Sequence, residues 1–354
     1  MFKLIILFIL IFSGTLVRGQ PTPVILGAYY FDGWTGAYPY HITPLLRTTY
    51  KNRMPKWGWI TSTQKIFDEQ VKMARNAGLS FFSFCWYNSG SDNYKAEPLN
   101  NALALFKKSK VSTGFKYCLT IVNHQGFSIS QKEWKTVEPV WIDHFMSGNY
   151  LKVDGKPLLI IFSVKLLVDD FGSIDSVRAA FASIRAKAIK NGLNGVSIAT
   201  CLSAEKSEIR LAEMVGVDLI TGYNYHNAGL KSKKLQVPID SMRINEFHLW
   251  TKISSMSKLK YLPVTTLNWD PRPWATNENR YDTKPYFVGY SGLSTYRSVK
   301  GLISWLRINS SKTSTEKIGL IYAWNEVGEG AYLTPSVSGS KLISGVKKAI
   351  IESK

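Results

Sequence analysis

This 354-residue sequence predicts an α/β fold, a single (β/α)8 TIM barrel with a long aromatic-rich loop after its first strand. Three observations predict it. From Val24 onward, strand-like and helix-like stretches alternate through eight pairs, the order of a parallel sheet wrapped by helices. The strand candidates are apolar with hardly a charge, as strands covered on both faces must be. No linker, low-complexity run or internal repeat interrupts them, and one barrel accommodates the length.

In order, the strand candidates are 24–30, 79–86, 115–122, 157–162, 195–200, 217–223, 259–266 and 318–324. The clearest helix is 173–191, where Ile174, Val177, Phe181, Ile184 and Ala188 recur at spacings of three and four and Gly192 follows as a stop. A second, 61–76, opens on Thr61-x-x-Gln64, the pattern of a capping box, and closes on Gly78. Asp169-Asp170 reads as a solvated pair at a helix entry. The loop 31–60 is long for a barrel and holds Trp34, Tyr38, Tyr40, Trp57 and Trp59 beside Arg47, Lys51, Arg53 and Lys56. Such a loop can wall a cleft and offer cations to a charged ligand.

The first 20 residues place Lys3 before an apolar run from Leu4 to Phe12, then small residues and Val17-Arg18-Gly19-Gln20. This is the pattern of a cleaved signal peptide, so the barrel is expected to span 21–354 and to act in the periplasm or outside the cell. No later stretch is apolar for long enough to predict a transmembrane segment in the mature chain. The full chain carries a net charge of +19, and without Lys3 and Arg18 its 42 basic and 25 acidic residues leave +17. Such a surface attracts polyanions; with no nucleic-acid-binding motif, an anionic glycan is the expected kind and nucleic acid is not. Cys85, Cys118 and Cys201 are odd in number and lie in apolar runs, which predicts buried thiols rather than a disulfide framework. The five histidines show no ligand spacing, so neither a metal nor another cofactor is expected. A monomer is expected.

Chemistry concentrates in 318–335. An uncharged strand reaches Trp324 and is followed by Asn325, Glu326, Val327, Gly328, Glu329 and Gly330. Two carboxylates at a buried strand end push each other's pKa apart, so that one holds a proton while the other is ionised. Glu326 and Glu329 are therefore the catalytic candidates. Barrel sites gather on the loops after the strands, and here those loops are rich in aromatic rings for pyranose faces and in amide, acid and imidazole groups for hydroxyls. The substrate-binding candidates are Tyr30 and Trp34 in the first, Trp86 and Tyr87 in the second, and Asn123 and His124 in the third. Tyr223, Tyr225 and His226 follow from the sixth, Trp269, Asp270 and Arg272 from the seventh, and Trp324, Asn325 and Tyr332 from the eighth. A carbohydrate is the expected partner. No glycine-rich phosphate loop and no Gly-x-Ser-x-Gly appears, against a nucleotide site of those types or a serine hydrolase.

The run Trp324-Asn325-Glu326-Val327-Gly328-Glu329-Gly330 resembles the Trp-Asn-Glu-Trp-x-Glu-Gly signature of glycoside hydrolase family 99 and of the related WbsX-like domains. Residues 82–87 are similar to the Ser-Trp-Tyr strand end of family 99, with Cys85 where serine is common, and Asn268-Trp269-Asp270-Pro271-Arg272 resembles a shortened Trp-Asp-Asn-x-x-Arg element of WbsX-like proteins. The resemblance implies a retaining glycoside hydrolase in which Glu326 acts as base on the sugar's own 2-hydroxyl, giving a 1,2-anhydro sugar, and Glu329 is general acid and then base. Two positions depart from the signature. Val327 replaces its second tryptophan, and Thr334 stands where many relatives have a further glutamate, so the mannose specificity of family 99 does not carry over and the related glucanase family 71 keeps glucan in view. The resemblance leaves two alternatives, a WbsX-like glycosyltransferase of polysaccharide synthesis and a barrel that binds carbohydrate without turnover.

Overall fold

The computed structural model describes residues 23–90, 93–230, 234–339 and 341–354. The predicted leader, 1–20, lies outside the described residues. Barrel strands are β1 (Ile25–Tyr30), β2 (Phe81–Trp86), β3 (Lys116–Ile121), β4 (Lys156–Ile161), β5 (Ser197–Cys201), β6 (Leu219–Thr221), β7 in two pieces (Lys260–Leu262 and Val264–Thr266) and β8 (Ile318–Tyr322). All pair in parallel with their sequence neighbours, and β8 returns to β1 in the register Ile25↔Ile318. Each falls inside its predicted window or within one residue of it.

The seventh window is one run in the sequence but two strands in the fold. Pro263 has no N–H to offer the ladder. The first half of β7 pairs β6 and the second half pairs β8, while the Pro263 carbonyl still accepts from Leu320 N at 2.9 Å. A buried acid repairs the break. Glu246, in the helix Ile239–Met256, accepts from Thr266 N at 2.7 Å and from the Thr265 hydroxyl at 3.0 Å.

Strand alternation decides which side chains reach the barrel interior. Tyr29 and Cys85 point in, whereas Tyr30, Phe82, Phe84 and Trp86 point out to the helices. Tyr30 meets Phe67 of α1 (Gln64–Asn76) and Trp86 meets Trp141 of the helix Gln131–Phe145, with rings 5.7 and 5.3 Å apart. Phe81 plugs the interior so closely that a Cβ on Gly27 would fall 2.4 Å from its ring.

Several local expectations change. The Thr61 capping box does not form: Thr63 caps α1 without a side-chain bond, and Gln64 Nε2 instead donates to Asp68 at 2.8 Å and to Leu105 O at 3.1 Å. Helix Ile174–Lys190 begins as read, with Ser173 Oγ accepting from Ser176 N at 3.1 Å. Asp169 and Asp170 lie in the last turn of the helix Val164–Phe171, not at an entry; Asp169 pairs with Lys165 at 2.8 Å and Asp170 accepts from Ile129 N at 3.3 Å. All three cysteines are free, Cys85 and Cys118 buried and Cys201 half-buried. Among the described residues no helix is long and apolar enough to cross a membrane.

Burial pushes the Glu246 carboxyl up to about 8 from an ordinary 4.5, although its bonds to Thr266 and Thr265 oppose the rise. A raised folded pKa means that the folded state holds the proton more tightly, so its contribution is full below about pH 4.5 and is lost as pH rises through about 8. Glu246→Gln is expected to flatten the decline of stability over that window, read from urea midpoints. Glu246→Ala, which strands Thr266 N in the core, is expected to cost about 2–4 kcal/mol.

Candidate active site

Three asparagines hold the rim of the barrel by one device. An amide side chain carries the same donor and acceptor as a peptide, so it can bond both sides of one backbone residue. Asn325 accepts from Phe31 N at 2.9 Å and donates to Phe31 O at 2.6 Å. Asn123 accepts from Ser163 N at 3.0 Å and donates to Ser163 O at 2.8 Å, and Asn100 does the same for Tyr87 at 2.9 and 2.8 Å. Phe31, Tyr87 and Ser163 each lie just beyond a strand, and all three line one cavity of about 740 Å³ above the barrel.

Glu326 and Glu329 both face that cavity. Gly330, in the left-handed region at φ 75°, lets the chain turn between a two-residue strand at Asn325–Glu326 and its antiparallel partner Ala331–Tyr332, which brings the two acids onto one side. Tyrosines form their floor. Tyr223 Oη donates to Glu326 Oε1 at 3.0 Å and Tyr322 Oη donates to the Glu329 carboxylate. The Tyr223 ring packs 4.9 Å from both Tyr29 and Tyr322. Glu326 is 4% exposed, and its Oε2 meets no hydrogen-bond partner among the described residues. Burial first, and then the charge of Glu329, pushes the Glu326 carboxyl well above the ordinary range; burial pushes Glu329 up to about 7, moderated by the Tyr322 hydroxyl. Around neutrality the pair therefore holds at least one proton, shared between two coupled carboxyls.

The sequence profile described as Glycosyltransferase WbsX matches residues 40–343, most of the chain. The chain belongs to this WbsX family. A comparison with curated proteins finds no match. The fold is also that of a solved "Glycoside hydrolase-like protein", at TM-score 0.65 and 16% identity over 97% of this chain and 98% of that one. It is likewise that of the family 99 endo-alpha-mannosidase from Bacteroides thetaiotaomicron, at TM-score 0.59 and 16% identity over 93% and 97%.

In this WbsX-family chain, Tyr87, His124, Tyr223, His226 and Trp269 line the cavity with the two glutamates. The other binding candidates lie elsewhere. Tyr30 and Trp86 point outward, as their strand positions dictate. Trp34 is buried and donates to Asn325 O at 2.9 Å, and Trp324 is buried against Phe82 and donates to Gln70 Oε1 at 2.7 Å. Asn123 and Asn325 are the backbone clasps described above. Tyr225 bonds the Tyr261 hydroxyl at 2.8 Å and borders an adjoining cavity of about 1110 Å³ instead. Tyr332 is buried against Tyr290. Asp270 is buried between Arg53 and Arg272, whose guanidinium lies 3.3 Å from the centre of the Tyr286 ring.

Arg53, one of the cations of the long loop, is spent on the protein itself. Its Nη1 donates to Asp270 O at 3.0 Å and reaches the carbonyls of Val327 and Gly328 at 3.4 Å, so it ties that loop to the turn carrying Glu329. Tyr40 of the long loop also lines the cavity, as do Phe31 and Asn224 beside the candidates of their loops; His41, Phe162 and Trp274 line it without having been expected there. The interior Tyr29 and Tyr322 were likewise missed, which the period-two pattern of β1 and β8 would have located.

Arg53→Ala removes a buried ion-pair partner and is expected to cost about 3–5 kcal/mol of stability with no ligand present. Urea unfolding checks this; an unchanged midpoint would mean that Arg53 is not the clasp.

Proposed function

We propose that this chain is a glycoside hydrolase that cleaves an α-glycosidic bond of a polysaccharide or glycan with retention. One observation carries the reading: Glu326, a buried carboxyl whose Oε2 has no hydrogen-bond partner among the described residues, lines a sugar-sized cavity together with a second carboxyl, Glu329. Leaving such an atom unpaired costs about 1–3 kcal/mol, and a substrate hydroxyl would satisfy it. In the first step Glu326 takes the proton of the 2-hydroxyl, O2 attacks C1, the glycosidic bond breaks and Glu329 protonates the leaving oxygen. In the second, Glu329 takes a proton from water, the water oxygen attacks C1, the C1–O2 bond of the anhydro ring opens and Glu326 returns the proton to O2. This assignment places the single proton of the coupled pair on Glu329 and leaves Glu326 ionised when substrate is bound. The leader-like first 20 residues support action in the periplasm or outside the cell.

The family's description as a glycosyltransferase supports a second reading, transfer from an activated sugar. The cavity argues for hydrolysis. Among its described lining residues Lys165 is the only lysine or arginine, and it is already paired with Asp169 at 2.8 Å. A nucleotide diphosphate would meet little positive charge there.

Incubation of the purified protein with α-mannan, α-glucan and anionic polysaccharides is expected to give new reducing ends from at least one, and Glu326→Gln and Glu329→Gln are each expected to lower turnover by at least about 10²-fold. Undiminished turnover in both variants would remove the assigned roles, and binding without cleavage across the panel would favour a lectin-like barrel. Reaction needs the pair to carry one proton, a state gained as pH rises through the lower of its two pKa values, about 7 for Glu329. The acid limb of kcat/KM is therefore expected near pH 7 rather than near 4.5.

A further inference from the structure

We propose that Trp274 is the platform on which a pyranose ring stacks in the catalytic cavity, supplied by the loop after β7 in place of the ring that the signature carries at position 327. The proposal rests on the glycan reading above and names the surface that recognises the sugar. At position 327 this chain has valine, which is fully buried and offers no ring to the cavity. The next residue, Gly328, lies against an indole from elsewhere: a Cβ there would fall 2.1 Å from Trp274 Cε2 and 2.5 Å from its Nε1. The backbone between the two glutamates has therefore given up a side chain where Trp274 comes to rest.

The indole is held in that place. Its Nε1 donates to His41 O at 3.1 Å, its backbone carbonyl accepts from Asn279 Nδ2 at 2.9 Å, and its backbone N donates to Pro271 O at 2.8 Å. It stays half-buried and lines the cavity with Glu326 and Glu329. His41 and Tyr40 extend the wall, with His41 6.1 Å from the Trp274 ring and 4.4 Å from that of Tyr40, which is 61% exposed. Burial lowers the His41 pKa to about 4, so the wall is uncharged at neutral pH. An uncharged aromatic wall beside proton-transfer groups fits the apolar face of a neutral pyranose, while the acids engage its hydroxyls.

The test uses the full chain with Glu326→Gln and Glu329→Gln combined, so that binding is read without turnover, titrated calorimetrically with tetrasaccharides of α-linked mannose and of α-linked glucose. Trp274→Leu, which keeps apolar bulk but removes the ring, is expected to weaken binding of the preferred tetrasaccharide about tenfold or more, and Trp274→Phe to retain most of it. Gly328→Ala displaces the indole without deleting it and is expected to weaken binding similarly. An unchanged dissociation constant in a folded Trp274→Leu or Gly328→Ala variant overturns the platform, as does an absence of binding to either tetrasaccharide. The two readings fail separately. Trp274-dependent binding with no turnover by the unsubstituted protein refutes hydrolysis and keeps the platform; turnover with a KM indifferent to Trp274→Leu does the reverse.

Discussion

Two carboxyl groups share one pocket, Glu326 buried and Glu329 half-buried, and much of the barrel mouth is arranged around that fact. A carboxylate leaves water only at a cost of several kcal/mol unless charge or hydrogen bonds replace its hydration. At Glu326 and Glu329 the replacement is one tyrosine hydroxyl each, from Tyr223 and Tyr322. That is too little to hold two negative charges, so the pair retains a proton into the neutral range. A group that both keeps and gives up a proton near neutrality is suited to proton transfer, and it stays so only while the turn from Asn325 to Tyr332 is held still.

Most of the polar residues around the mouth do that holding. Asn325, Asn123 and Asn100 each clasp the backbone of one cavity residue, which ties the loop after β8 to that after β1, the loop after β3 to that after β4, and the loop after β2 to itself. Arg53 bonds carbonyls of the turn and, with Arg272, neutralises the buried Asp270. A residue that fixes a loop by its amide and one that binds a sugar hydroxyl by its amide have the same chemistry. Only the geometry separates them.

That ambiguity marks where the sequence could be read and where it could not. Apolar runs of strand length with at most one charge identified all eight strands, because burial on both faces leaves little room for a charge. The acidic pair was legible for the converse reason: two glutamates among glycines at a strand end have few structural uses. The break at Pro263 was visible as a residue, but its consequence depended on which neighbours each half of β7 would meet. Tyr30, Trp86 and Trp324 carry rings suited to a sugar face, but the register of the closed sheet turns those rings outward while Tyr29 and Tyr322 turn in. Asn123, Asn325 and Arg53 carried the right chemistry for a ligand and found backbone instead. Trp274 gave no signal of its own, since the glycine that receives it is 54 positions further along the chain.

Everything at the barrel mouth turns on whether Glu326 and Glu329 titrate as a coupled, desolvated pair. Carbon-13 NMR of the protein labelled at the glutamate side-chain carboxyl carbon, with each resonance assigned by Glu326→Gln and Glu329→Gln, measures this directly. Two coupled titrations displaced upward are expected, one near pH 7 and the other higher, with each substitution shifting the partner's curve. Two independent titrations near pH 4.5 would contradict that coupling.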